Sequence, residues 1–236
     1  MVFSDLIDMY LEKKKLYGAE AYKYISLLLE EAKIIHKHDW EQNPTKGNDH
    51  EQSWRAFKGK NFEKLIEYII KDQIELFGLK LVMGSTLERN VSLSEPLSRV
   101  KRNISVDYGD LGLHLPDVDI VIYEPDSCVV IALLSTKVTL RERIAQTGYW
   151  KLKLSQCPLT KNIKVFFITL DEDGTLKKRI LAKKGRAIVE VDTDGSYVLS
   201  QDKYEINSKV KYFESFIDDL QTLFLKENSS HSLLKM

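Results

Sequence analysis

A continuous apolar run, CVVIALL over residues 128–134, constrains the fold of this chain more than any other feature. A strand that is apolar at every position is buried on both faces, as at the centre of an α/β sheet. A shorter apolar strand, 119–123, precedes it, and the turn residues EPDS occupy 124–127 between the two. The sequence therefore predicts a β-hairpin whose second strand lies inside a central sheet.

The remaining segments predict helices around this sheet. Helices with apolar residues at three-and-four spacing are predicted at 3–16, 19–37, 61–77, 140–154 and 208–226. Further strands are predicted at 163–170 and, as a weak pair, within 187–199, whereas 79–115 has an irregular pattern. The polar stretch 36–52 contains turn signals and predicts a boundary. We therefore expect an α/β sandwich with a helical N-terminal piece, divided into residues 1–50 and 51–236.

Charge and hydropathy exclude few classes of partner. Lys+Arg and Asp+Glu both number 35, so the net charge does not indicate nucleic acid, although basic clusters occur at 13–15, 99–102, 177–179 and 183–186. No apolar run reaches the ~20 residues that span a bilayer. The start of the chain lacks the features of a signal peptide. Two cysteines cannot build a disulfide framework. We therefore expect a cytoplasmic protein without a membrane partner.

Two acidic residues begin the first hairpin strand, and a lysine ends the second. Asp117 and Asp119 are two residues apart, as are Ser135 and Lys137, and side chains with this spacing share one face of a strand. The hairpin sets the acidic end of one strand beside the lysine end of the other. The sequence therefore predicts carboxylates and an ammonium at the rim of an apolar sheet. In the alternative interpretation, the acids cap a turn and the lysine only ends a strand.

Phosphodiester hydrolysis uses these groups. Carboxylate oxygens are ligands that Mg²⁺ prefers, and a bound Mg²⁺ polarises a phosphate and lowers the pKa of the attacking water. A nearby ammonium stabilises the negative charge that develops. Asp117, Asp119 and Lys137 are therefore candidate catalytic residues, and the two acids are candidate Mg²⁺ ligands.

The same residues resemble the PD-(D/E)xK motif of type II restriction endonucleases. The chain has PD at 116–117 and, about twenty residues later, STK at 135–137. Serine in place of the first acid is similar to the SxK variant of the BsaWI-like group, which reads CCGG or CCNGG sites. The resemblance covers roughly residues 53–155. It implies a PD-(D/E)xK core with a mixed central sheet flanked by helices, an endonuclease domain over 51–236, and Mg²⁺-dependent cleavage of double-stranded DNA in a prokaryotic cytoplasm.

Arg141, Glu142 and Arg143 resemble a second element of that group, an Arg-acid-Arg stretch that reads bases. Arginine is the usual partner of guanine O6 and N7, and glutamate can accept a hydrogen bond from cytosine N4. The triplet therefore suits adjacent C·G pairs within a CCGG-containing palindrome. A second interpretation stays open, because Thr139 to Glu142 also fits a capping box at the start of a helix.

One position departs from the family pattern. Relatives with SxK carry a displaced catalytic glutamate further along this helix, where this chain has YWK at 149–151. Either Asp119 is the second carboxylate, or Glu63 supplies it from the helix that follows 58–60, or the site is catalytically weak. Catalytic candidates are thus Asp117, Lys137, Asp119, Glu63 and Ser135, with Asp117, Asp119 and Glu63 as candidate metal ligands.

Three functions remain open on the sequence. The preferred one is a sequence-specific double-strand endonuclease. The second is a repair or junction nuclease that reads DNA shape, and the third is a DNA-binding protein whose nuclease site has decayed. A palindromic site is matched by a two-fold symmetric protein, so we expect a homodimer on double-stranded DNA.

Overall fold

The computed structural model describes residues 1–43, 49–89, 92–140 and 143–233. Its α-helices are α1 (Phe3–Tyr17), α2 (Ile25–Gln42), α3 (His50–Leu76), α4 (Gly84–Arg89), α5 (Glu95–Ile104), α6 (Arg143–Ser155), α7 (Lys184–Asp192) and α8 (Phe216–Leu233). Its strands are β1 (Lys80–Met83), β2 (Val106–Asp107), β3 (Leu113–His114), β4 (Ile120–Tyr123), β5 (Val130–Lys137), β6 (Lys164–Thr169), β7 (Gly195–Val198) and β8 (Val210–Tyr212). No helix within these ranges is long and apolar enough to cross a membrane.

The central sheet is mixed and has the strand order β1-β4-β5-β6-β7-β8. Its first three strands are antiparallel neighbours, and β5 to β8 are parallel. The predicted hairpin is confirmed, since Ile120 of β4 pairs with Leu134 of β5. In the parallel pair, Lys137 lies beside Thr169 of β6. The carboxyl ends of β5 and β6 therefore meet at one edge of the sheet, which we call the Lys137 edge.

The β5 strand is buried on both faces, as its composition predicts. Ala132 and Leu134 belong to one hydrophobic cluster, together with residues of α3, while Leu133 between them belongs to a second cluster with Val121 and Val100. Successive side chains of a strand point to opposite faces. Helices thus cover both sides of the sheet, and Lys137 at the end of β5 is only partly buried.

Helix α3 is longer than its sequence pattern predicts. Asp49 caps it by accepting a hydrogen bond from the Gln52 backbone N–H at 2.8 Å. Trp54 and Lys58 are buried in its first turns. Helices α2 and α3 therefore extend into the polar stretch 36–52 from both ends, because tertiary burial overrides weak local amphipathicity. Its turn signals at 44–48 lie outside the described residues.

The N-terminal helices pack on the same core as the sheet. Leu6 of α1 and Leu28 of α2 lie in one hydrophobic cluster with Ile120 and Leu134 of the hairpin. The division of the chain at residue 50 remains a proposal.

Two further segments differ from their predicted structure. The segment 79–115 contains β1, α4, α5 and the small β2–β3 hairpin. The weak strand pair within 187–199 is instead α7 followed by β7. Burial of Arg186 and Val189 at helical spacing outweighs the local β-propensity of this sequence.

Candidate active site at the Lys137 edge

Asp119 and Lys137 are bonded to each other at the Lys137 edge. The Lys137 Nζ donates to both carboxylate oxygens of Asp119, at 2.9 and 2.7 Å. The Asp119 Oδ2 also accepts hydrogen bonds from the Thr136 backbone N–H at 2.6 Å and the Thr136 hydroxyl at 3.2 Å. Asp119 is only 8% exposed. Charge-assisted hydrogen bonds in so sheltered a place are strong, and they fix the orientation of the carboxylate.

Glu63 of α3 brings a second carboxyl group to this pair. Burial raises the pKa of Glu63, and the negative charge of Asp119 raises it further, while Lys137 opposes this effect. The Glu63 carboxyl therefore lies within electrostatic range of both Asp119 and Lys137. Two carboxylates that repel each other are a suitable site for a cation, which would relieve the repulsion.

The donor set fits Mg²⁺ in its usual mode of binding. Across the described ranges, no three His, Cys, Asp or Glu residues come together as a metal-binding group. Mg²⁺ is commonly held by one or two carboxylates, with waters and substrate phosphate oxygens completing its coordination. Asp119 and Glu63 are the two carboxylates that would hold the ion in this mode.

Asp117 lies outside this cluster. Its Oδ2 accepts a hydrogen bond from the Arg143 Nη1 at 2.8 Å, and the two side chains are 45% and 55% exposed. The expectation that Asp117 and Asp119 share one strand face does not apply, because β4 begins only at Ile120. Glu63 interacts electrostatically with Asp119 and Lys137, whereas the hydrogen-bond partner of the Asp117 carboxylate is Arg143.

Ser135 lies next to this cluster within β5. It follows Leu134, whose carbonyl accepts a hydrogen bond from the Asp119 N–H at 3.0 Å. Ser135 is buried, so the position that carries an acid in the common motif holds a buried hydroxyl.

Arg143 is the described member of the predicted base-reading triplet. It begins α6 and also donates a hydrogen bond to the Gln146 side chain at 3.2 Å. Arg141 and Glu142 lie outside the described residues. Base reading by the triplet and the capping box from Thr139 to Glu142 therefore both remain predictions.

Sequence reasoning missed Gly84, which supports Asp119 from the opposite side of β4. The Gly84 N–H donates to the Asp119 carbonyl at 2.8 Å. A Cβ atom at this position would lie 1.9 Å from the Val118 carbonyl oxygen. Glycine is thus required for the close approach of the two backbones. The sequence predicts no strand before Gly84, so no local pattern pointed to this position or to its partner.

Several known proteins resemble this chain. A family model described as BsaWI restriction endonuclease type 2 matches residues 96–219. MjaVIP of Methanocaldococcus jannaschii, named as a type II restriction enzyme, is 38% identical over 178 residues, covering 73% of this chain and 77% of that protein. HpyAORF263P of Helicobacter pylori, also named as a type II restriction enzyme, is 38% identical over 125 residues, covering 53% of this chain and 64% of that protein. The restriction endonuclease PspGI, in a structure with its substrate DNA, has a TM-score of 0.54 at 16% identity, covering 96% of this chain and 94% of PspGI.

Proposed function

The chain belongs to the BsaWI family of type II restriction endonucleases, and from that premise we propose that Glu63, Asp119 and Lys137 form its active site for Mg²⁺-dependent cleavage of double-stranded DNA. The observation that carries this proposal is the ion pair between Asp119 and Lys137 at the end of a buried hairpin. Burying a lysine and a carboxylate costs desolvation free energy. A pair of this kind at the polar rim of an otherwise apolar sheet therefore supports a functional role.

Each residue has a separate role in this proposal. Asp119 and Glu63 would hold Mg²⁺, which when bound polarises the scissile phosphate and lowers the pKa of the attacking water. The Lys137 ammonium stabilises the negative charge that builds up on the phosphate and orients the water. Thr136 keeps the Asp119 carboxylate aimed at the site through its backbone N–H. Ser135 would contribute a hydroxyl at the position where the common motif has an acid.

Sequence specificity is proposed to come from Arg141, Glu142 and Arg143. Arginine and glutamate suit the major-groove edges of guanine and cytosine, so we propose that the cut palindrome contains CCGG. Arg143 is held by Asp117 in an exposed ion pair, and such pairs contribute only ~0–1 kcal/mol. Arg143 can therefore leave Asp117 for a base at small energetic cost.

We also propose that two copies act on one palindrome. The N-terminal helices expose large apolar side chains, among them Leu16, Leu27 and Ile34. Such a surface suits an isologous contact between two copies. Sedimentation of the free protein and of its complex with cleavable DNA would show a dimer, and a monomer in both would contradict it.

Digestion of plasmid and genomic DNA tests the proposed function. The purified protein is incubated with Mg²⁺, with Ca²⁺ or with EDTA, and the ends of the products are sequenced. We expect discrete fragments with Mg²⁺, binding without cutting with Ca²⁺, and a shared CCGG-containing sequence at the ends. Lys137→Ala protein, purified in parallel, controls for a contaminating nuclease.

The other outcomes separate the alternatives. Nicking that follows DNA structure without a shared sequence would indicate a repair or junction nuclease. Binding without cutting in every metal would indicate a decayed site. Discrete cut sites that lack any CC/GG step would remove base reading from the 141–143 triplet and leave the active site in place.

A further inference from the structure

An apolar pair stands at the tip of an exposed loop, residues 177–184, which we call the basic loop. Ile180 is 80% exposed and Leu181 is 98% exposed. Leu181 also has a φ of 54°, in the left-handed region that bulky side chains seldom adopt. Two large apolar side chains held in water by a strained turn are a costly arrangement for the isolated molecule, and such features concentrate at functional sites.

Positive charge surrounds this tip. Lys178, Lys183 and Lys184 are all exposed. Within the described residues, the side chains of Lys178 and Lys184 form neither a hydrogen bond nor an ion pair. Lys177, by contrast, pairs with Asp202 at 2.5 Å. The basic loop therefore presents uncompensated ammonium groups beside an apolar tip.

The base of the loop is held in place from inside the protein. The buried guanidinium of Arg186 donates to the carbonyl oxygens of Leu176 and Glu205, and to the Glu190 carboxylate at 2.8 Å. The Glu205 N–H donates to the Lys177 carbonyl at 3.0 Å. Both ends of the loop are thus tied down, so little conformational entropy is lost when its tip contacts a partner.

The loop belongs to the same edge of the sheet as the active site. It follows β6, whose last residue lies beside Lys137, and the Leu170 N–H donates to the Lys137 carbonyl at 3.3 Å. Its other end packs on α6, since a Cβ atom at Gly185 would lie 2.5 Å from the Ile144 Cδ1. The loop therefore lies between the end of β6 at the Lys137 edge and the start of α7, which packs on α6, the helix that Arg143 begins.

We propose that the basic loop is a DNA-contacting element of this enzyme. Ile180 and Leu181 enter a groove of the duplex beside the cleavage site and pack against base edges, while Lys178 and Lys184 contact phosphates. Apolar side chains pack on thymine methyl groups and base steps in this way, and uncompensated lysines match the charge of the backbone. The inference rests on the proposed function, because it takes the duplex cut at the Lys137 edge as the partner.

Three variants test the proposal. Their affinity for a duplex that the wild-type protein cuts is measured in Ca²⁺ at several salt concentrations. Ile180→Ser/Leu181→Ser should weaken binding by roughly tenfold or more, with an unchanged salt slope, because apolar burial is lost. Lys178→Ala/Lys184→Ala should lower the salt slope by roughly 0.9 per lysine. Leu159→Ser is the matched control: this leucine is 85% exposed, but it lies at the opposite edge, before β6 begins.

The outcomes distinguish the inference from the function beneath it. Wild-type affinity of the Ile180→Ser/Leu181→Ser protein would overturn the inference, while cutting by the wild-type protein would leave the proposed function standing. A wild-type protein that neither binds nor cuts DNA would overturn both. The Ile180→Ser/Leu181→Ser protein could instead sediment as a smaller species and bind DNA normally at concentrations at which it re-assembles. The tip would then contact a second copy of the chain, and the inference would be wrong. Because Ile180 and Leu181 are exposed, their replacement should leave the thermal unfolding temperature unchanged, and this measurement confirms that the variant folds.

Discussion

Asp117 and Asp119 are close in sequence, yet they belong to two regions of different character. Asp119 belongs to the proposed catalytic corner, which we define as Glu63, Asp119 and Lys137; it is buried and hydrogen-bonded to Lys137. Asp117 belongs to the proposed reading surface, which we define as Asp117, Arg143 and the basic loop; its ion pair with Arg143 is exposed. Both regions lie at the Lys137 edge.

The difference shows how one edge of a sheet can serve two purposes. Electrostatic catalysis works when charges are fixed before the reaction, so its residues gain from burial and mutual hydrogen bonds. Recognition requires side chains that can exchange a partner in the protein for one on DNA, so its residues gain from exposed and weak pairs. Variants in each region should therefore affect different measurements.

Lys137→Ala should have the largest effect on the catalytic corner. Loss of the ammonium removes charge stabilisation in the transition state, so single-turnover cleavage should slow by about a thousandfold while DNA binding stays measurable. Lys211→Ala is the control, because Lys211 forms an ion pair of the same length, 2.7 Å, with Asp219 elsewhere in the protein. Cutting by Lys137→Ala at near the wild-type rate would remove Lys137 from the mechanism.

Glu63→Gln should have the next largest effect. The amide keeps the size of the side chain but lacks its charge, so we expect a loss of cleavage rate of about a hundredfold and a higher Mg²⁺ requirement. Glu67→Gln, one helical turn further along α3, is the control. A Mg²⁺ titration of the cleavage rate measures both effects, and equal behaviour of the two variants would exclude Glu63 as a ligand.

Gly84→Ala tests whether the corner depends on its backbone support. The added methyl group would lie 1.9 Å from the Val118 carbonyl oxygen, so the backbone that carries Asp119 must shift. Because small misplacements of catalytic groups lower the reaction rate, we expect cleavage to slow by about tenfold with DNA affinity unchanged. Gly59→Ala is the control, since a Cβ atom there meets no neighbour. A wild-type rate for Gly84→Ala would show that the contact does not position Asp119.

Asp171→Asn should have the smallest effect and should alter stability alone. Burial raises the pKa of Asp171 from 3.8 to about 6, so the folded protein favours the protonated acid. The stability contributed by this group is present at low pH and is lost as the pH rises through 6. The loss begins near the unfolded-state pKa of 3.8 and is complete above pH 6, so the wild-type unfolding free energy should fall by about 1.4 kcal/mol from this group between pH 5 and pH 8. The variant should lack that fall. Urea unfolding at both pH values measures it, and parallel curves for the two proteins would contradict the assignment.

The hairpin and the meeting of Asp119 with Lys137 could be predicted from sequence. The turn at 124–127 and the apolar run after it fix which residues face each other, because the two strands are adjacent in the chain. Local rules therefore locate the ends of these strands to within a residue or two. The predicted first strand begins slightly too early, and this error was enough to assign Asp117 to a strand face that it does not share, because β4 begins at Ile120.

The rest of the corner depends on tertiary packing. Glu63 interacts electrostatically with Asp119 because α3 packs on the sheet, and Gly84 contacts Asp119 because β1 pairs with β4. No local pattern specifies which helix crosses which strand. The exposed tip of the basic loop could not be predicted either. Isoleucine and leucine are typical core residues, and only the structure shows that Ile180 and Leu181 are exposed to solvent.

Single-turnover cleavage by Asp119→Asn and Asp117→Asn, measured side by side on one duplex that the wild-type protein cuts, tests the central claim most directly. If the catalytic corner carries the chemistry, Asp119→Asn should lose activity by about a thousandfold or more, and Asp117→Asn should stay within about tenfold of the wild-type rate. The reverse order would contradict the account and would move the metal-binding carboxylate to Asp117.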